Sequence, residues 1–204
     1  MATEKQLIVV PHADFPVATL PFGVVTGEGV DNYEGDGKEY TASVILGKKE
    51  AKHLKKEVLA FWEAHKGKVK ADEPANYANV VRTDDNGVMK AYFKSVTHFG
   101  DKANIVAVVD AKRNPLSVED YGMFGGESTG RIAVQLAIYS GGKSNDPKGV
   151  SMFLSAVQLS TFEKLTSGGG AKAFGEEEGD AIAEHGFSDD KKEKKEKKAK
   201  KSKK

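Results

Sequence analysis

The hydrophobic period of this chain switches from that of a strand to that of a helix at Gly47, and that switch limits what can be built around it. Residues 39–46 alternate, with Tyr40, Ala42, Val44 and Leu46 on one side and Thr41, Ser43 and Ile45 on the other, the period of a half-buried strand. From Lys48 the pattern becomes helical: Ala51, Leu54, Val58, Phe61, Trp62 and His65 recur at spacings of three, four and seven, and Gly67 ends the run. Trp62 falls on the apolar face and reads as core. Lys49, Lys52, Lys55, Lys56 and Glu63 form the opposite face, which is a basic surface or simply the solvated side of an amphipathic helix.

The other periodic stretches are strands. Ala18–Thr26 is one, with Pro21 at its edge or start. Val88–Thr97 (VMKAYFKSVT) puts Met89, Ala91, Phe93 and Ser95 on one face and Lys90, Tyr92, Lys94 and Val96 on the other. Ile105–Ala111 is almost wholly apolar and is expected to be buried on both faces. Arg131–Tyr139 turns Ile132, Val134, Leu136 and Ile138 inward, and Val150–Leu159 is the last strand. Five or six short strands, one inserted helix and long loops predict a mainly β fold, a small closed or half-open barrel of the OB type.

The domain assignment follows: residues 1–17 a lead-in with Pro11 and Pro16, 18–166 the barrel, 167–190 a glycine-rich linker and acidic segment, and 191–204 a lysine-rich tail expected to be disordered. The net charge of +1 conceals this sorting. Residues 191–204 hold ten lysines and two glutamates, a net of +8, and the acids of residues 176–190 account for the −7 of everything before them. The barrel itself is near neutral, so affinity for a polyanion has to come from a local patch and from stacking.

Several kinds of chemistry find no support. With no cysteine in 204 residues there is no disulfide framework and no thiolate chemistry. The apolar run before Pro11 is four residues long, too short for a leader or a membrane span, and a cytoplasmic protein is expected. Gly142-Lys143-Ser144 looks like the end of a phosphate-binding loop, but Ala137 stands where the first glycine is needed and a strand follows in place of a helix. His12, His53, His65, His98 and His185 have no ligand spacing. No enzyme and no cofactor are expected.

What accumulates is aromatic and basic residues on strands and their adjoining loops: Lys90, Tyr92 and Lys94, then Lys112 and Arg113, Tyr121 and Phe124, Arg131 and Tyr139. On a barrel these can line one groove, with rings stacking on bases of any identity and cations meeting phosphates. Bland readings stand beside this one. Lys-Tyr-Lys is also an ordinary solvent face, Phe124 equally a loop anchor on the core, and Tyr139 more naturally a ring capping its strand than a base contact.

The order of pieces resembles the single-stranded DNA-binding proteins of tailed bacteriophages. Tyr40–Leu46 followed by Gly47-Lys48-Lys49 and the helix carry the likeness, as do Lys90–Val96, the strand exit at Val109–Asn114, Tyr121-Gly122, Gly130-Arg131-Ile132-Ala133-Val134 and the closing strand Gly149–Gln158. The resemblance covers residues 18–165. It implies an OB-fold that coats single-stranded DNA in phage replication and recombination, in the host cytoplasm, without catalysis or cofactor, and favours Lys90, Tyr92, Lys94, Arg113, Tyr121 and Arg131 as contacts. It also implies that residues 176–190 recruit replication proteins. The lysine-rich end departs from the family's acidic terminus and suggests non-specific contact with the phosphates of single- or double-stranded DNA, or pairing with residues 176–190 that masks them, beside the bland reading of a solvating tail. A β-barrel interaction or virion protein, and a nuclease or strand-annealing protein, are the rival readings.

Overall fold

The two longest strands come last, and the sheet grows outward from them. In the computed structural model, which describes residues 5–31, 37–140 and 146–165, the chain opens with β1 (Lys5–Val10), β2 (Ala18–Thr19), β3 (Phe22–Val24), β4 (Val30–Asp31) and β5 (Lys38–Leu46). Helix α1 (Lys48–His65) follows, then β6 (Arg82–Thr83), β7 (Met89–Val96), β8 (His98–Phe99), β9 (Lys102–Ala103) and β10 (Ala107–Val109). A single helical turn, α2 (Val118–Tyr121), leads to β11 (Met123–Gly125), β12 (Thr129–Ser140) and β13 (Pro147–Thr161).

These strands make one mixed sheet in the order β1–β12–β13–β7–β5–β3–β11, with β10 parallel along β13 and short additions by β2, β4 and β6; β8 and β9 form a separate hairpin. β12 and β13 shift register between Ala133 and Val134 and at both ends of their ladder. Each irregularity adds twist and lets a long pair curl. The curl brings β11 round to the chain beyond β13, where Phe124 bridges Lys164 and Gly125 N–H donates to the Glu163 carbonyl at 3.1 Å. The ladder is open, but its β11 end is tied back to the chain beyond β13, as in a half-closed barrel.

Inside lie Ala42, Val44, Ala91, Phe93, Ile132, Val134, Leu136, Val150, Leu154 and Val157, all buried. Helix α1 packs against β1, β5, β12 and β13 and adds Ala51, Leu54, Val58, Phe61 and Trp62 to this core. Trp62 is core as expected: its ring is buried, worth about 1.5–3 kcal/mol for a side chain of this size, and Nε1 donates to the Ala71 carbonyl at 3.1 Å. No helix among the described residues is long and apolar enough to cross a membrane.

Two expectations need correction. Lys5–Val10, placed in a lead-in, is a sheet strand paired with β12 from Lys5–Ala137 to Val10–Ile132. Ile8 and Val10 point inward while Leu7 and Val9 stay outside, an alternation hidden within four consecutive apolar residues. Ile105–Ala111 is not buried on both faces. Only Ala107–Val109 is strand; Val106 and Val108 are buried, and Ile105 is 77% exposed. The linker, the acidic segment, the lysine-rich end and Gly142-Lys143-Ser144 lie outside the described residues.

Candidate nucleic-acid interface

The outer face of the sheet is organised by register. Cross-strand partners share a face, so the ladder lines up Leu7, Gln135, Phe153, Lys94, Thr41, Val24 and Met123 in one row from β1 to β11. A second row runs Tyr92, Ser43, Phe22, and a third runs Arg82, Lys90, Ile45. Lys90, Tyr92 and Lys94 therefore project from β7 on one side, as their alternation predicts. Tyr92 is 50% and Phe153 38% exposed, so two rings flank Lys94 on this face, one along β7 and one across to β13.

Both lysines of β7 have acidic neighbours. Lys90 Nζ lies 2.9 Å from Asp84 Oδ2, and Asp84 Oδ1 accepts from the Asn86 and Val88 N–H groups of the turn. The Lys90 ammonium and then the Val88 N–H hold the Asp84 carboxyl below its usual range, while Asp84 holds Lys90 above its own. Lys94 reaches Glu39 at 3.4 Å. Arg82, beside Lys90 in register, is exposed and has no acidic partner among the described residues.

The remaining expected contacts do not all join this face. Lys112 and Arg113 are exposed at the tip of a loop that Asp110 builds, accepting from the Lys112 and Asn114 N–H groups at 2.8 Å each, with Arg113 at φ 70°. Tyr121 packs its ring against Phe162, centroids 4.8 Å apart. Phe124 is fully buried, its ring lying over Gly23 where any Cβ would collide with it. It is a core anchor, and no base can reach it.

Arg131 is also spoken for. Its guanidinium donates to the carbonyls of Pro11, His12 and Phe15 at 2.9, 2.8 and 2.6 Å, tying the segment after β1 to β12. Tyr139 lies over Gly149 at the far end of β12, the capping arrangement. Phe153, Gln135 and Arg82 were not singled out from the sequence. The alternation of Val150–Leu159 breaks at Ser155, the extra residue between the Leu154–Val134 and Ala156–Ala133 rungs, which hides the direction of Phe153.

A second basic surface exists on α1. Lys48, Lys52, Lys55 and Lys56 rim an apolar trough of about 660 Å³ floored by Leu59, Tyr77, Val81 and Met89. Its ring is already covered, because the Lys55 ammonium sits 5.5 Å from the Tyr77 centroid. Cations converge here without an open ring; on the sheet face cations and open rings coincide. Among the described residues no three His, Asp or Glu side chains converge as a metal site.

No family model matches the chain, and no curated protein does. Among solved structures, the single-stranded DNA-binding protein gp2.5 encoded by bacteriophage T7 is similar at 19% identity and a TM-score of 0.51, over 89% of this chain and 100% of that one. The single-stranded DNA-binding protein of bacteriophage Enc34 matches in its C-terminally truncated form at 12% identity and a TM-score of 0.46, over 74% of this chain and 86% of that one. In complex with single-stranded DNA it matches at 13% identity and a TM-score of 0.47, over 73% of this chain and 87% of that one. The mainly β, OB-fold-like architecture with one inserted helix is the fold of this chain.

Proposed function

We propose that this protein binds single-stranded DNA across the outer face of β7 and β13 and covers it during phage replication and recombination, without catalysis. One observation carries the reading: Tyr92 and Phe153, both open to solvent, flank Lys94 on a single sheet face. Stacked rings contribute about 1–3 kcal/mol per base and tolerate any base, and the adjacent cations meet the backbone. The likeness in fold to the T7 protein, itself a single-stranded DNA-binding protein, supports it.

Lys90, Tyr92, Lys94, Arg82 and Phe153 form the centre of this surface, and Lys112 and Arg113 extend it from the loop after β10. Because Asp84 and Glu39 partly neutralise the β7 lysines, stacking carries more of the affinity here than on a strongly basic face. In this reading the lysine-rich residues 191–204 add non-specific attraction to single or double strands, and residues 176–190 are the site for replication proteins.

The test is anisotropy of a labelled oligothymidine titrated with the full chain at two salt concentrations. Saturable binding that weakens with salt is expected; absence of binding at low salt overturns the proposal. A second reading rests on Leu7, Val9, Val96 and Ile105, exposed aliphatics near this face that suit a protein partner. Stable self-assembly at micromolar concentration, indifferent to DNA, would favour it.

A further inference from the structure

β13 gives one edge to two strands in succession. β7 meets it at a single rung, Phe153–Lys94, and then leaves; β10 takes over from the Ala156–Ala107 rung. Ser155, the bulge residue, sits between them, and the chain linking β7 to β10 makes its β8–β9 excursion before returning through Asn104 and Ile105. The fork leaves a cleft of about 270 Å³ whose lining includes Ser95, Asn104, Ile105, Gln135, Phe153 and Ser155. It adjoins the row that holds Lys94 and Phe153.

We propose that this cleft receives one base of the bound strand and reads its edge, so that the protein has a base preference. This rests on the outer face being the single-stranded DNA surface. Ile105, 77% exposed, and Phe153, 38% exposed, supply apolar walls for the plane of a ring. The polar groups are few, as in sites that discriminate. Asn104 Nδ2 donates to Ser95 Oγ at 2.7 Å and to the Val96 carbonyl at 2.8 Å. Both of its hydrogens are used, so Asn104 has only a carbonyl oxygen left to offer, an acceptor fixed in direction. The side-chain amide of Gln135 has no hydrogen-bond partner among the described residues and presents both a donor and an acceptor. Lys5, exposed and also part of the lining, is the cation available to the phosphate of the same nucleotide.

Rings that merely stack do not distinguish bases strongly. A fixed acceptor beside a free amide does, because the wrong base leaves buried groups unpaired. The cleft thus adds discrimination to a surface whose other contacts are tolerant.

The experiment compares labelled homopolymers of thymidine, deoxycytidine and deoxyadenosine on the full chain, Gln135→Leu and Ser155→Phe. Gln135 lies on the solvent side of β12, so its replacement leaves the fold in place, and Ser155→Phe fills the fork. The expected result is a preference of about tenfold for one homopolymer, the scale of one well-made base-edge contact, falling to about twofold in both variants. Equal binding of the three by the full chain overturns the cleft and leaves the interface standing, as does a preference that survives both variants. Failure to bind any homopolymer removes the interface and the cleft with it.

Discussion

Phe153 of β13 and Lys94 of β7 face each other across the only rung that joins their strands, so a ring and a cation are held side by side by backbone pairing. Lys94 is the exposed member of a weak ion pair with Glu39, and at 3.4 Å such a pair is worth little in water. It is therefore free to exchange Glu39 for a phosphate. Lys94→Gln is expected to lower the salt slope of oligothymidine binding by about 0.7, the value for one phosphate on a single strand, measured from affinities at four salt concentrations. An unchanged slope removes Lys94 from the interface.

Asp84 restrains Lys90 in the same way, but more firmly. Asp84→Asn keeps an oxygen for the turn N–H groups while releasing Lys90, so DNA binding should tighten by about two- to fivefold at low salt. The pH dependence follows from the shifts. Asp84 is held below the usual carboxylate value of about 3.8 and Lys90 above the usual ammonium value of about 10.5. The stabilisation from Asp84 is present above its unfolded pKa and is lost only as pH falls through the lower folded value. That from Lys90 is present below its unfolded pKa and is lost as pH rises through the raised one. The gain from Asp84→Asn should thus be constant between about pH 5 and 9; a gain that disappears within that window contradicts the pairing.

Arg131 and Phe124 are engaged within the protein, one by carbonyls and one in the core, so their replacement is expected to act on folding. Arg131→Ala strips three charge-assisted hydrogen bonds from the carbonyls after β1 and should destabilise the protein by about 1.5–3 kcal/mol, read by urea unfolding. Phe124→Ala leaves a cavity against Gly23 and should cost about 3–5 kcal/mol. In both cases oligothymidine affinity at a temperature where the variant is folded should stay within about twofold of the parent.

The α1 trough provides a control for charge alone. Lys52→Gln combined with Lys56→Gln removes two cations from that rim. If open rings are what place DNA on the sheet face, oligothymidine affinity at moderate salt should fall by less than about threefold. A tenfold loss would move the interface to the helix.

How far the sequence could be read depended on whether its period was intact. The change at Gly47 gives β5 and α1 nearly to the residue, and Lys90, Tyr92 and Lys94 emerge on the side their alternation predicts. Where the period breaks, the reading fails. β1 hides in a uniform apolar run, and Phe153 sits beside a bulge that no local pattern signals. Phe124 and Arg131 belong to residue types that suit a DNA surface, yet one is packed in the core on Gly23 and the other is held by carbonyls more than a hundred positions away. Such partners are set by tertiary contact and leave no mark on spacing.

The central claim is that two exposed rings on one sheet face carry single-stranded DNA. Its most direct test is the affinity of the double variant Tyr92→Ala, Phe153→Ala of the whole 204-residue chain for labelled oligothymidine at moderate salt, beside its thermal midpoint. At about 1–3 kcal/mol per ring, a loss of at least tenfold is expected, with the variant still folded at the assay temperature because both rings are partly exposed and neither belongs to the core. An affinity within twofold of the parent, in a variant that remains folded, would contradict the account.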